Sequence, residues 1–183
     1  TEVVKAVNYA RGLMKSNEYD DARNFLYEVS PYVNGEAERL VKSQISLTWY
    51  YEGEYNFEKD RYDVALLCYE NALKAFHELG DVENEMTIQF EIAWTNAYLN
   101  NISEAISRYE KALALSQQIS DEASQIEIIG QLIKLCNIIG DMEQIVKYND
   151  MMNFIIENTD DDQTKFNYYI QKGKEARKLG EYN

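Results

Sequence analysis

The sequence predicts an all-α chain built as an array of stacked antiparallel helix pairs. Three observations carry this expectation. Related stretches recur about forty residues apart: Trp49-Tyr50-Tyr51-Glu52-Gly53, Tyr62, Ala65, Tyr69, Ala72 and Leu73 form the clearest copy, and its second half returns as Ile102, Ala105, Tyr109, Ala112 and Leu113. Self-similarity at this period marks units that cannot bury their apolar faces alone and must stack on their neighbours. Apolar residues fall at spacings of three and four, and no stretch alternates with period two, so no strand is expected. The 183 residues include a single proline, Pro31, which leaves helix interiors almost uninterrupted.

Nine helices follow in order. Residues 2–16 carry Val3, Val4, Val7, Ala10 and Leu13 at helical spacing. A polar turn then offers Asp20 or Asp21 as the cap of a second helix that runs to Ser30, where Pro31 stops it. A longer helix with an irregular start spans 36–58, and the next spans 62–79. Further helices cover 83–99, 103–119 with Ser103 as its N-cap, 122–139, 142–157 and 163–179. Gly80, Gly140 and Gly180 each follow an apolar run, where a left-handed residue terminates a helix. Asp81, Asp121 and Asp141 stand ready to cap the helices that come next. The acidic segment from Asn158 to Asp162 precedes the last helix, where negative charge complements the helix dipole. Short connections force successive helices antiparallel.

Composition removes several functional classes. The formal net charge is −14, and so acidic a surface repels phosphate backbones, which argues against contact with nucleic acid. No apolar run reaches the roughly 18 residues of a membrane span, and no signal peptide opens the chain. Cys68 and Cys136 lie two repeats apart, too far for a disulfide in a stacked array, and read as buried free thiols of a reducing, cytoplasmic protein. With His77 the only histidine, no zinc site can be assembled. Asp160-Asp161-Asp162 lacks the alternating ligands and closing Glu of a calcium loop. No phosphate loop or nucleophile elbow occurs, so neither an enzyme nor a bound cofactor is expected.

The repeat can be placed on two registers. Small first-helix residues fall at Ala10, Gly53, Ala93, Ile133 and Gly173, at intervals of 43, 40, 40 and 40. Second-helix residues fall at Ala22, Ala65, Ala105 and Ile145, at 43, 40 and 40. Where two helices cross closely only a small side chain fits, so the isoleucines of the fourth unit imply a more splayed pair. This pattern resembles the tetratricopeptide repeat in a long form: Trp49, Gly53, Tyr62, Ala65, Tyr69, Ala72 and Leu73 match its marks, as do Ala93, Ala105, Tyr109, Ala112 and Leu113. Units one and five match at Ala10, Tyr19 and Ala22, and at Tyr169, Gly173, Gly180 and Tyr182. The longer form looks like the repeats of bacterial peptide-pheromone receptors and of some eukaryotic adaptors. The expected architecture is one solenoid domain over 1–183, with units 1–34, 35–81, 82–121, 122–161 and a partial 162–183. Thr1 in place of Met, and an end just where a second helix should begin, suggest a segment of a longer chain.

The resemblance implies a right-handed α-α superhelix whose first helices line the concave side and hold a protein or peptide. On that side it places an aromatic group, Tyr50, Phe57, Phe90, Trp94 and Tyr98. It also places Lys134 and Asn137 of unit four there, with Lys174, Arg177 and Lys178 of unit five. Aromatic side chains are favoured interface anchors, and the cations suit a carboxylate. The clamp by which chaperone-tail receptors hold a terminal carboxylate is missing, because the matching positions are Val7, Arg11, Tyr50 and Glu54. Asn96 and Asn137 stand where pheromone receptors hold peptide backbone. Two functions are therefore expected: a scaffold for protein–protein interaction or, as the alternative, a peptide-sensing regulatory domain. An end helix left uncovered could also support a homodimer.

Overall fold

The computed structural model describes residues 2–180, apart from the side chains of Glu175, Lys178 and Leu179; the expectations placed on Tyr182 and on the Lys178 side chain lie outside the described residues. Among those residues the chain forms nine α-helices and no strand: α1 (Glu2–Lys15), α2 (Tyr19–Val29), α3 (Gly35–Glu58), α4 (Tyr62–Leu79), α5 (Val82–Tyr98), α6 (Ile102–Gln118), α7 (Glu122–Ile139), α8 (Met142–Asn158) and α9 (Asp162–Gly180). A short 3-10 turn, Ser30–Tyr32, follows α2 and takes up Pro31. It explains why the first interval of the repeat is longer than the others.

The turns share one chemistry. Asn17, Asp60, Gly80, Asn100, Ser120 and Gly140 all take a left-handed backbone, with φ between 57° and 75°. In each turn the next N–H donates to the carbonyl five residues back, as in Glu18 to Leu13, Arg61 to Asn56 and Asp121 to Ser116, at 2.9–3.0 Å. This pattern satisfies the last carbonyls of the helix. The following helix is then capped: Asp81 accepts from the Asn84 N–H at 3.2 Å, Asp121 from Ser124 at 3.0 Å and Asp141 from Gln144 at 3.1 Å. Asp161 accepts from the N–H groups of Gln163 and Thr164, both at 3.1 Å. Those hydrogen bonds, with the one from the Thr164 hydroxyl foremost, hold the Asp161 carboxyl below its ordinary range.

Three boundaries differ from expectation. Helix α2 starts at Tyr19, so Asp20 and Asp21 lie inside its first turn and act there through the dipole rather than as caps. Ser103 is inside α6, because Asn100 and Asn101 already supply the left-handed residue and the boundary. Gly180 is the last helical residue of α9 and has no left-handed backbone.

The molecule divides into two compact units, the first ending at Arg108 and the second beginning at Tyr109. In the first, α1 to α5 pack through small residues at the crossings. Ala10, Ala22, Ala65 and Ala93 are fully buried. A Cβ built on Gly53 would meet the Tyr69 ring at 2.6 Å, so any larger residue at this crossing forces the ring or the helices to move. Between α2 and α3 lies Arg23, 5% exposed. Its guanidinium donates to Thr48 Oγ1 at 3.0 Å, to Asp20 at 2.7 Å and to Glu52, and it lies 3.3 Å from the Trp49 ring centroid. In the second unit α7 packs on α8 and α9, with Ile128, Ile129, Leu132, Tyr148 and Met152 buried. Ile133 is half-buried and Ile145 buried; the small residue facing α8 is Gly130, whose added Cβ would stand 3.9 Å from Met152 Cε.

Candidate functional site

Helices α7 and α9 are the first helices of successive pairs, and they run side by side. Between them opens a groove of about 800 Å³. The α7 wall offers Glu127, Gln131, Lys134 and Asn137, spaced at three and four residues so that one helix face carries them all. The α9 wall offers Thr164, Asn167, Tyr168, Gln171 and Lys172, and Met152 of α8 contributes at the floor. The volume is in the range of a peptide or ligand cleft.

The amides here have defined roles. Asn137 donates its side-chain N–H to the Ile133 carbonyl at 3.0 Å, which leaves Oδ1 as an acceptor on an exposed residue. Asn167 Oδ1 accepts from Gln163 at 2.9 Å, which leaves its NH₂ as a donor. Lys172 Nζ lies 5.7 Å from the centroid of the Tyr168 ring. The groove thus alternates donors, acceptors and two ammonium groups over an apolar floor.

Of the residues singled out in the sequence, Lys134 and Asn137 line this groove. Lys174 and Arg177 are exposed on α9 but stand outside it, and Lys172 takes the place expected of them. Asn96 cannot hold a ligand: it is 6% exposed and its amide donates to the Ile92 carbonyl at 2.9 Å. Gln131, Gln171 and Tyr168 were not foreseen. For Gln131 and Gln171 the i, i+3 and i, i+4 spacing from Lys134 and Asn167 was the available signal; Tyr168, next to Asn167, had none.

The aromatic group lies in the first unit and separates into three sets. Tyr50 is half-buried against Tyr51 and Tyr69, with centroids 5.3 and 6.2 Å away. Burial, then the carboxylates of Glu54 and Glu91, push its phenol well above the ordinary value. Phe57 meets Tyr62 at 5.2 Å and Tyr98 at 5.7 Å, the latter 63% exposed. Phe90 stacks on Trp94 at 6.5 Å, and Trp94 is 39% exposed. Tyr50 and Phe57 pack against the core around Tyr69 and Phe76, so Trp94 and Tyr98 present the most accessible rings of the five.

Cys68 and Cys136 are buried free thiols, and burial pushes Cys68 up to about 11. Among the described residues no cluster of His, Cys, Asp or Glu is placed to hold a metal ion. No described helix is long and apolar enough to cross a membrane.

Residues 44–118 match the family model of the tetratricopeptide repeat. Among solved structures the chain is similar to BtubC (BKLC) from P. vanneervenii, at 16% identity and a TM-score of 0.59, over 84% of this chain and 62% of that one. This chain therefore spans about three fifths of the length of that relative. It is also similar to a Podosopora anserina protein with nearly identical TPR-like repeats, at 14% identity and a TM-score of 0.47, over 88% of this chain and 78% of that one. No curated protein matches it. Over residues 44–118 the chain is built of tetratricopeptide repeats. Their fold serves protein–protein interaction, typically as a scaffold without enzymatic activity.

Proposed function

We propose that this chain is an interaction module that receives an extended peptide segment of a partner protein in the groove between α7 and α9. One observation carries the reading: the two helices that form the groove present Asn137 as an acceptor and Asn167 as a donor across it. An extended backbone offers alternating N–H and C=O groups to such a pair. Lys134 and Lys172 would attract acidic side chains of the segment, and Met152 and Ile133 would take apolar ones.

Selection of displayed peptides against the chain tests this. A selected peptide is expected to bind about tenfold more weakly to Asn137→Ala, the loss of one hydrogen bond to a partly desolvated amide. Binders that tolerate Asn137→Ala, Asn167→Ala and Lys134→Met alike would place recognition elsewhere and overturn the reading.

A further inference from the structure

The connection between α2 and α3 holds the one asparagine of the chain that is followed by glycine, Asn34-Gly35. It comes just after the 3-10 turn that takes up Pro31, close to Tyr32, which is 88% exposed. Asn34 and Gly35 are both exposed. Asn34 has extended backbone, with φ −145° and ψ 169°, and stands at the cap position of α3, yet its side chain makes no cap hydrogen bond. Asparagines inside the helices are held differently: the amides of Asn56, Asn71, Asn96, Asn149 and Asn158 donate to the carbonyl four residues back, at 2.7–3.1 Å. Among the described residues the Asn34 carboxamide has no such partner.

Gly35 completes the junction. As the first residue of α3 its N–H has no intrahelical acceptor, and no other described group accepts it. Its φ is +56°, and a Cβ built on it would find nothing within 4 Å. Glycine sets no side chain against the preceding carboxamide. The Asn34 carbonyl accepts from the Glu38 N–H at 3.3 Å, a long bond that restrains the peptide unit little. An unbonded amide nitrogen, an unrestrained carboxamide and open space therefore meet at one peptide bond. Rotations about the Asn34 Cα–C and Cα–Cβ bonds bring the two groups together.

We infer that Asn34-Gly35 is a self-modification site, at which the asparagine converts to an aspartyl or isoaspartyl linkage. The Gly35 nitrogen attacks Asn34 Cγ: the N–Cγ bond forms, the Cγ–Nδ2 bond breaks, and the side-chain nitrogen leaves as ammonia with the proton of the Gly35 N–H. Water then opens the five-membered imide. Opening at Cγ leaves an aspartate at position 34, and opening at the main-chain carbonyl leaves an isoaspartate, whose backbone runs through the former side chain. Either product adds one negative charge at the first turn of α3. The aspartate suits the cap position and the helix dipole. The isoaspartate lengthens the backbone by one carbon directly after Val33, which packs on the cluster of Ala10, Leu26 and Val41. The two products therefore act on the α2–α3 connection in opposite directions. This chemistry is independent of the groove between α7 and α9.

Peptide mapping by mass spectrometry, on the whole chain incubated in mildly alkaline buffer, tests the assignment. The fragment holding position 34 is expected to gain the mass of NH replaced by O before any other asparagine fragment does, with ammonia released in equal amount. Two products are expected to separate, one of them a substrate for a protein isoaspartyl methyltransferase. Asn34→Gln and Gly35→Ala, both at exposed positions, are expected to bring conversion down to the level of the other asparagines. Asn34→Asp is expected to raise the melting temperature, and the purified isoaspartyl form to lower it. A free peptide spanning 31–37 sets the rate of the unfolded junction. A rate in the whole chain far below that of the peptide would show that the fold withholds the junction and would overturn the inference. Earlier conversion at another asparagine, or conversion undiminished in Gly35→Ala, would overturn it as well.

Discussion

Gly53 shows how tightly one position can be specified. Tyr69, fully buried, fills the space a side chain would need, and its hydroxyl is tied to Glu54 Oε1 at 3.0 Å, so the ring cannot retreat. Gly53→Ala gains about 1 kcal/mol in helix propensity, but an overpacked core costs about 1–3 kcal/mol. The variant is expected to lose up to about 2 kcal/mol in urea unfolding, and a gain in stability would show that the ring shifts freely. The sequence marks Gly53 as the small residue of a close crossing, but not that the Tyr69 ring is what fills the space beside it. The left-handed backbones of Asn17, Asp60, Asn100 and Ser120 were not. The sequence marks only Gly80, Gly140 and Gly180 as left-handed terminators, yet asparagine and aspartate adopt that region at modest cost.

At the scale of elements, two arginines do similar work with different weight. Arg23 is nearly sealed between α2 and α3, and Glu52 has only 21% of its side chain exposed. Arg108 of α6 pairs with Glu70 and Glu104 at 2.6 and 2.7 Å, but those carboxylates are 45% and 49% exposed. Removing one member of a buried pair costs about 3–5 kcal/mol, while exposed pairs contribute at most about 1 kcal/mol. Arg23→Ala is therefore expected to destabilise by about 3 kcal/mol and Arg108→Ala by about 1 kcal/mol or less. Comparable losses in denaturant titrations would mean that burial does not govern these networks. The helices themselves were legible because apolar spacing and the Asp caps agree. The repeat register places Lys134 and Asn137 of α7 and Asn167 of α9 on the groove side, whereas the rest of the α9 wall, Thr164, Tyr168, Gln171 and Lys172, is set by packing. The five aromatic residues share a register yet form separate ring contacts, since Tyr50 and Phe57 turn partly into the core.

For the whole molecule, the acidic balance and the tyrosines act together at high pH. Fifteen tyrosines sit in a chain of net charge −14. Burial, first, and nearby carboxylates, second, raise the phenols of Tyr50 and Tyr69. Tyr148 is raised in the same way, with its hydroxyl donated to Glu110 at 2.9 Å. Tyr62 is pushed up to about 12, chiefly by its hydrogen bond to Asp60. An unfolded tyrosine titrates near 10. A phenol whose pKa is higher in the folded state binds its proton more tightly there, so its contribution is complete below about pH 10 and is lost as pH rises toward the folded value. Each tyrosinate formed also adds to a negative charge that already opposes compaction. Thermal stability is therefore expected to stay level up to about pH 9 and to fall steeply above about pH 10, with tyrosinate absorbance rising together with loss of helical dichroism. Tyr148→Phe and Tyr69→Phe remove titrating groups while keeping their rings, and should make the fall shallower. Tyrosinate absorbance that rises fully while the helices stay intact would show that these phenols are accessible in the native chain and that carboxylate contacts do not bind their protons.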